Sequence, residues 1–182
     1  MTLEEKYISL VNTPSDINEH LPTLMEYSSR CNHVTEMGVR GVVSTYGLMM
    51  GKPNTLKSYD IVPIELHGID RNNLIELGRS NGVNFEFIQA NVLHIEIEET
   101  DFLFIDTYHT YNQLRDELKL HSKNVKKYLG FHDTTTFGEV GEGGTKGLWS
   151  AIIEFLQESP EWILEKRYEN NNGLTILKRI SV

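Results

Sequence analysis

Four side chains in the second half of the chain, Asp106, His109, His132 and Asp133, are of the types that hold, take or give protons. They sit at the ends of two apolar runs. Phe102-Leu103-Phe104-Ile105 ends in Asp106, and Tyr128-Leu129-Gly130-Phe131 ends in His132-Asp133. An almost wholly apolar run closed by an acid reads as a parallel strand covered on both faces, so the two acids can converge at one rim of a sheet. His109, in the loop after Asp106, can reach the same space, and an imidazole titrating near neutrality suits removal of a hydroxyl proton. The competing reading of His109 is a helix-capping or surface histidine.

A second constellation lies earlier. Glu36-Met37-Gly38-Val39-Arg40-Gly41 closes a short strand and opens a helix. Gly38 can take a positive φ and let a ligand approach the backbone, and Gly41 can help the helix pack close. A tight turn with no ligand would read the same way. What adds to it is Asp60, at the end of the next strand, where an acid accepts hydrogen bonds from two ribose hydroxyls. Asp60 could equally be a turn residue ahead of Pro63.

The elements that position these residues alternate. Leu3 to Val11 has helical spacing, and a second helix starts either at an Asp16/Glu19 capping box or at Pro22 and runs to about Arg30. Strands are expected at His33 to Glu36, Leu56 to Ile61, Asn84 to Gln89, Phe102 to Asp106 and Tyr128 to His132. Helices are expected at Ser44 to Met50, Leu66 to Ser80, Tyr111 to Lys126 and Leu148 to Gln157. Trp162 to Tyr168 and Leu174 to Ile180, joined by Glu169-Asn170-Asn171-Asn172-Gly173, form a hairpin and so run antiparallel. The fold class is therefore α/β, a mostly parallel seven-stranded sheet closed by an antiparallel C-terminal hairpin. Residues 32–182 make the Rossmann-like core of a single domain, and residues 1–31 a helical N-terminal extension. Gly138 to Gly147 is a glycine-rich segment beside the second acid, readable as a lid over a site or as an ordinary loop. His20, His33, His67, His94 and His121 have no metal-ligand spacing, and Trp149 and Trp162 read as core.

Composition narrows the classes. A formal charge of −9 disfavours binding to a phosphate backbone, so no nucleic-acid partner is expected. Cys31 is the one cysteine, which rules out an internal disulfide and a thiolate cluster. With no signal-like start and no run of membrane-spanning length, the expectation is a cytoplasmic protein without a membrane partner.

With those residues in place, the sequence resembles the class I S-adenosylmethionine-dependent methyltransferases over almost all of the chain from His33 to Ile180. Ile105-Asp106-Thr107-Tyr108-His109-Thr110-Tyr111 followed by Phe131-His132-Asp133-Thr134 is similar to the group containing cephalosporin-biosynthesis and rhamnosyl or macrolide-sugar O-methyltransferases. The resemblance implies a three-layer Rossmann-like methyltransferase fold and an O-methyltransferase acting on a small hydroxylated molecule, such as a sugar or glycoside. It implies that Glu36, Gly38, Gly41 and Ser44 lie against the methionine part of S-adenosylmethionine. Asp60 would hold the ribose, Ile61 the adenine face, and Asn91 would sit near the adenine amino group. Asp106 and Asp133, with His132, would place a divalent metal, Mg²⁺ in the relatives, and His109 would act with Asp106 in catalysis as the general base.

Two departures stand out. Relatives have two adjacent acids where this chain has His132-Asp133, and histidine suits a softer ion than Mg²⁺. Val42 replaces a glycine that many relatives have after Gly41. The rivals are a nicotinamide-dependent oxidoreductase, disfavoured by the closing hairpin and by Glu-x-Gly-x-x-Gly, and a non-catalytic relative that works through a partner. A homodimer is one way to complete a pocket wall in so short a chain.

Overall fold

The computed structural model describes residues 1–180. Its seven strands are β1 (His33–Met37), β2 (Thr55–Asp60), β3 (Asn84–Gln89), β4 (Thr100–Ile105), β5 (Val125–His132), β6 (Trp162–Tyr168) and β7 (Leu174–Arg179). They form one sheet in the order β3-β2-β1-β4-β5-β7-β6. All pairings from β3 to β5 are parallel, whereas β7 pairs antiparallel with both β5 and β6. The chain reverses its direction of growth between β1 and β4. In open α/β sheets that switch point opens a crevice at the carboxyl ends of the strands. The antiparallel closure is the expected one and separates the sheet from an all-parallel dinucleotide-binding sheet.

Among the described residues, six α-helices cover the two faces: α1 (Leu3–Val11), α2 (Leu21–Ser28), α3 (Val43–Met50), α4 (Arg71–Ser80), α5 (Tyr111–His121) and α6 (Leu148–Glu158). The period-2 alternation of β4 explains why there are three layers. Phe102 and Phe104 point into one hydrophobic cluster with residues of α1 to α4, such as Leu3, Leu24, Leu48 and Leu74. Leu103 and Ile105 point into the other, with Leu114 and Leu118 of α5 and Trp149 and Ile152 of α6. Every residue of β4 is buried, as its apolar run requires. The N-terminal helices share the first cluster, so they are part of the core rather than an appendage. Among the described residues, no helix is long and apolar enough to cross a membrane.

Local chemistry moved several boundaries. α1 is held by a capping box in which Thr2 Oγ1 accepts from Glu5 N–H and Glu5 Oε2 accepts from Thr2 N–H. The second helix begins at the Pro22 start, after a 3₁₀ turn over Asn18–His20, and not at an Asp16/Glu19 box. The helix expected over Leu66 to Ser80 is broken. Gly68 adopts φ 75, and a new helix starts after Asp70, whose side chain accepts from Asn73 N–H. The helix expected to reach Lys126 stops at His121, because β5 begins at Val125, which pairs with Thr100 of β4.

Candidate active site

β1 ends in a turn that only glycine permits. Gly38 has φ 84, and a Cβ there would lie 2.0 Å from the carbonyl oxygen of Asp106, at the end of β4. Arg40 (φ 42) and Val42 (φ 58) are also left-handed, and this is uncommon for a β-branched residue. The turn is held from β2: Asp60 Oδ2 accepts from Val39 N–H (2.8 Å) and Arg40 N–H (3.0 Å), and Oδ1 accepts from Val62 N–H (2.9 Å). Asp60 thus ties two loops together at the crevice.

Glu36 lies beneath this turn, fully buried. Its carboxylate accepts from the hydroxyls of Ser44 (2.6 Å), Thr45 (2.8 Å) and Ser58 (2.5 Å), binding β1, α3 and β2 to one another. Burial pushes its pKa up to about 7 in spite of those three donors. A Cβ on Gly41 would meet nothing within 4 Å, so Gly41 does not serve the close helix packing expected of it.

Above lies a cavity of about 450 Å³ lined by residues 38–40, 59–62, 90–93 and 106–108, with His67, Gln113 and Glu142. Gly38, Asp60, Ile61, Asn91 and Asp106 therefore share one space. Glu36, Gly41 and Ser44 lie below or beside it and do not line it. Ile61 stands at the rim, 65% exposed. Asn91 caps a 3₁₀ turn, its Oδ1 accepting from Leu93 N–H (3.0 Å). Glu117 is buried beneath Thr107 and Gln113, both of which donate to its Oε1, and burial raises its pKa to about 7.

At the far end of the cavity, β4 and β5 bring the second constellation together. His109 Nε2 lies 2.9 Å from Asp133 Oδ2 and 3.3 Å from Asp106 Oδ1. His132 Nδ1 lies 3.3 Å from Asp106 Oδ1 and 3.4 Å from Asp133 Oδ2. Asp133, held at φ 60, keeps a buried Oδ1 with no hydrogen-bond partner. One donor atom from each of Asp106, His109 and Asp133 lies within 4.8 Å of the others. His109 Nε2 and His132 Nδ1 both face the Asp106 and Asp133 carboxylates, and the donors of Asp106, His109 and Asp133 fit a divalent cation.

Electrostatics bear on the proton chemistry. Burial disfavours charge on both rings, yet the Asp106 and Asp133 carboxylates outweigh it and hold His109 and His132 at about 10. The same contacts keep both aspartates below the usual carboxylate range, although burial alone would raise them. Without a cation, then, His109 is an imidazolium, and the free general base expected of it exists only after a proton is lost.

Sequence reasoning missed what orients the two rings. Glu142, in the glycine-rich loop, accepts from His109 Nδ1 at 2.6 Å, and Phe137 stacks on the ring at 4.7 Å with an interplanar angle of 1°. His132 Nε2 donates to the carbonyls of Asp16 (3.1 Å) and Asn171 (3.4 Å), and His20 meets the ring edge-on. The loop over Gly138 to Gly147 is closely fitted: Glu142 N–H donates to His109 O (2.9 Å) and Tyr111 N–H to Lys146 O (2.8 Å). A Cβ at Gly141 would fall 2.6 Å from His109 O, so glycine is what lets the loop lie against the site. The one signal for Glu142 in the sequence was that glycine-rich composition.

No family model matches the chain, and no curated protein does. Solved structures do. A Corynebacterium glutamicum protein matches with a TM-score of 0.67 at 14% identity, over 99% of this chain and 88% of that one. An O-methyltransferase from Bacillus cereus in complex with S-adenosylhomocysteine (SAH) matches with a TM-score of 0.64 at 18% identity, over 98% and 90%. An SAH-bound methyltransferase from Podospora anserina matches with a TM-score of 0.58 at 14% identity, over 98% and 88%. The chain has the Rossmann-like fold of these methyltransferases.

Proposed function

We propose that this protein transfers a methyl group from S-adenosylmethionine to a hydroxyl of a small molecule, assisted by a divalent cation. One observation carries the reading. A single cavity runs from the Gly38–Asp60 crevice to Asp106, so a nucleoside-bearing ligand and an acceptor hydroxyl can meet in one space. The SAH held on this fold by the Bacillus cereus and Podospora anserina proteins supports the same ligand here. A sugar or glycoside is the acceptor class favoured by the sequence resemblance.

S-adenosylmethionine supplies an electrophilic methyl on a sulfonium. Asp60, while anchoring the turn, would accept from the ribose hydroxyls, Ile61 would cover the adenine, and Asn91 would lie near its amino group. Glu36 and Ser44 act from below, fixing α3 against β1. Asp106 lines the acceptor end, where its carboxylate takes the hydroxyl proton as oxygen attacks the methyl carbon. The products are the methyl ether and SAH. A cation held by Asp106, Asp133 and His132 would lower the pKa of the acceptor hydroxyl.

Calorimetric titration with SAH tests the reading. Saturable binding that weakens at least tenfold in Asp60→Ala is expected. No binding of SAH or S-adenosylmethionine at millimolar concentration overturns it.

A further inference from the structure

We infer that Asp106, His109, His132 and Asp133 form a two-imidazole, two-carboxylate site selective for a first-row transition ion over Mg²⁺, with His109 as one of its ligands. This rests on the reading of the cluster as a cation site in the proposed enzyme.

His132 Nε2 faces only carbonyl oxygens, of Asp16 at 3.1 Å and Asn171 at 3.4 Å, so it carries a proton. Its Nδ1 then points between Asp106 and Asp133, which offer lone pairs and no proton. His109 repeats the pattern: Nδ1 donates to Glu142 at 2.6 Å, and Nε2 faces the same two carboxylates. Either each ring carries a second proton or a cation lies between them. An outer N–H given to an oxygen, with the inner nitrogen aimed at the centre, is how ligating histidines are held. Asp133 Oδ1, buried and unpartnered, is a further lone pair without a use.

The donor set decides the ion. Mg²⁺ demands hard oxygen ligands and keeps several waters, whereas imidazole nitrogen suits Zn²⁺, Fe²⁺, Ni²⁺ and Cu²⁺. The two carboxylates balance a divalent charge, and the two neutral rings complete the set. His109, with both nitrogens committed, then has no lone pair for a substrate proton and acts as a ligand instead of a base.

The experiment needs no acceptor. Chelator-treated full-length protein is loaded with one equivalent of Cu²⁺, and coordinated imidazoles are counted by pulsed EPR. Two are expected in the wild type and one each in His132→Asp and His109→Gln. Calorimetric competition should show His132→Asp shifting the Co²⁺-to-Mg²⁺ affinity ratio at least tenfold towards Mg²⁺. One imidazole or none in the wild type, or an unchanged ratio, overturns the inference. If a variant fails to fold, the wild-type count still decides. SAH titration of the same preparations separates the two readings. SAH binding without two imidazoles sinks the ion class alone, and two imidazoles without SAH binding sink the methyl-transfer reading alone.

Discussion

Glu142 Oε1 lies 2.6 Å from His109 Nδ1, and the backbone N–H of Glu142 donates to the carbonyl of His109 at 2.9 Å. This double tie joins the loop after β4 to the loop after β5, so the orientation of the histidine depends on a segment folded from elsewhere. Removing such an outer partner typically costs 10–100-fold in metal affinity or activity. Glu142→Ala should therefore lower Co²⁺ affinity by roughly that factor. Glu142→Gln keeps an acceptor oxygen and should stay within a few-fold of the wild type. The Nδ1 proton of His109, visible by NMR as a slowly exchanging signal, should vanish in the alanine variant alone. Its persistence there would mean that Glu142 does not hold the ring.

Gly38 and Gly41 share one turn in the sequence and meet opposite surroundings in the structure. An alanine Cβ at Gly38 would lie 2.0 Å from the Asp106 carbonyl, at φ 84, whereas at Gly41 it would meet nothing within 4 Å. Overpacking and left-handed strain together should make Gly38→Ala cost roughly 2–4 kcal/mol, while Gly41→Ala stays within about 0.5 kcal/mol. Urea denaturation of both variants checks this. The Gly38 variant should also lose SAH affinity, since its clash moves the ends of β1 and β4 apart. Equal stability of the two would show that the β1–β4 contact relaxes freely.

What could be read in advance followed the range of the signal. Helix α1, strand β3 and strand β6 were legible from local periodicity and turn residues, because each is set by its own few residues. The break at Gly68 was hidden inside a helical pattern, and the Asp70 cap becomes visible only once that break is known. The start of β5 was hidden because Lys126 and Lys127 interrupt its apolar run; Lys127 Nζ reaches the carbonyl of Arg30. At the site, Asp60, Asp106, His132 and Asp133 announce themselves by type and by position at strand ends, and His109 by type in the loop after Asp106. The groups that aim them do not. The carbonyls of Asp16 and Asn171 carry no side-chain signature, and His20 reaches His132 only because the β6–β7 turn packs under the N-terminal segment. Glu36 is the reverse case: its type was noticed, but its three hydroxyl partners come from two other elements.

That enclosure of Glu36 has a pH consequence. Its folded-state pKa of about 7 lies above the ordinary 4.5, with burial as the largest cause. The folded protein therefore binds a proton that the unfolded chain has lost between those values. Stability from this group is fully present below pH 4.5 and declines as pH rises towards 7, by about 3 kcal/mol in all. Other groups titrate as well, so the difference between two proteins isolates the effect. Glu36→Gln keeps the shape and an acceptor oxygen but cannot ionise. The stability of the wild type relative to Glu36→Gln, from urea denaturation at intervals between pH 4.5 and 8, should fall as pH rises and level off above about pH 7. A difference that stays flat, or that grows with pH, would mean that the three hydroxyls of Ser44, Thr45 and Ser58 stabilise the carboxylate enough to cancel its burial.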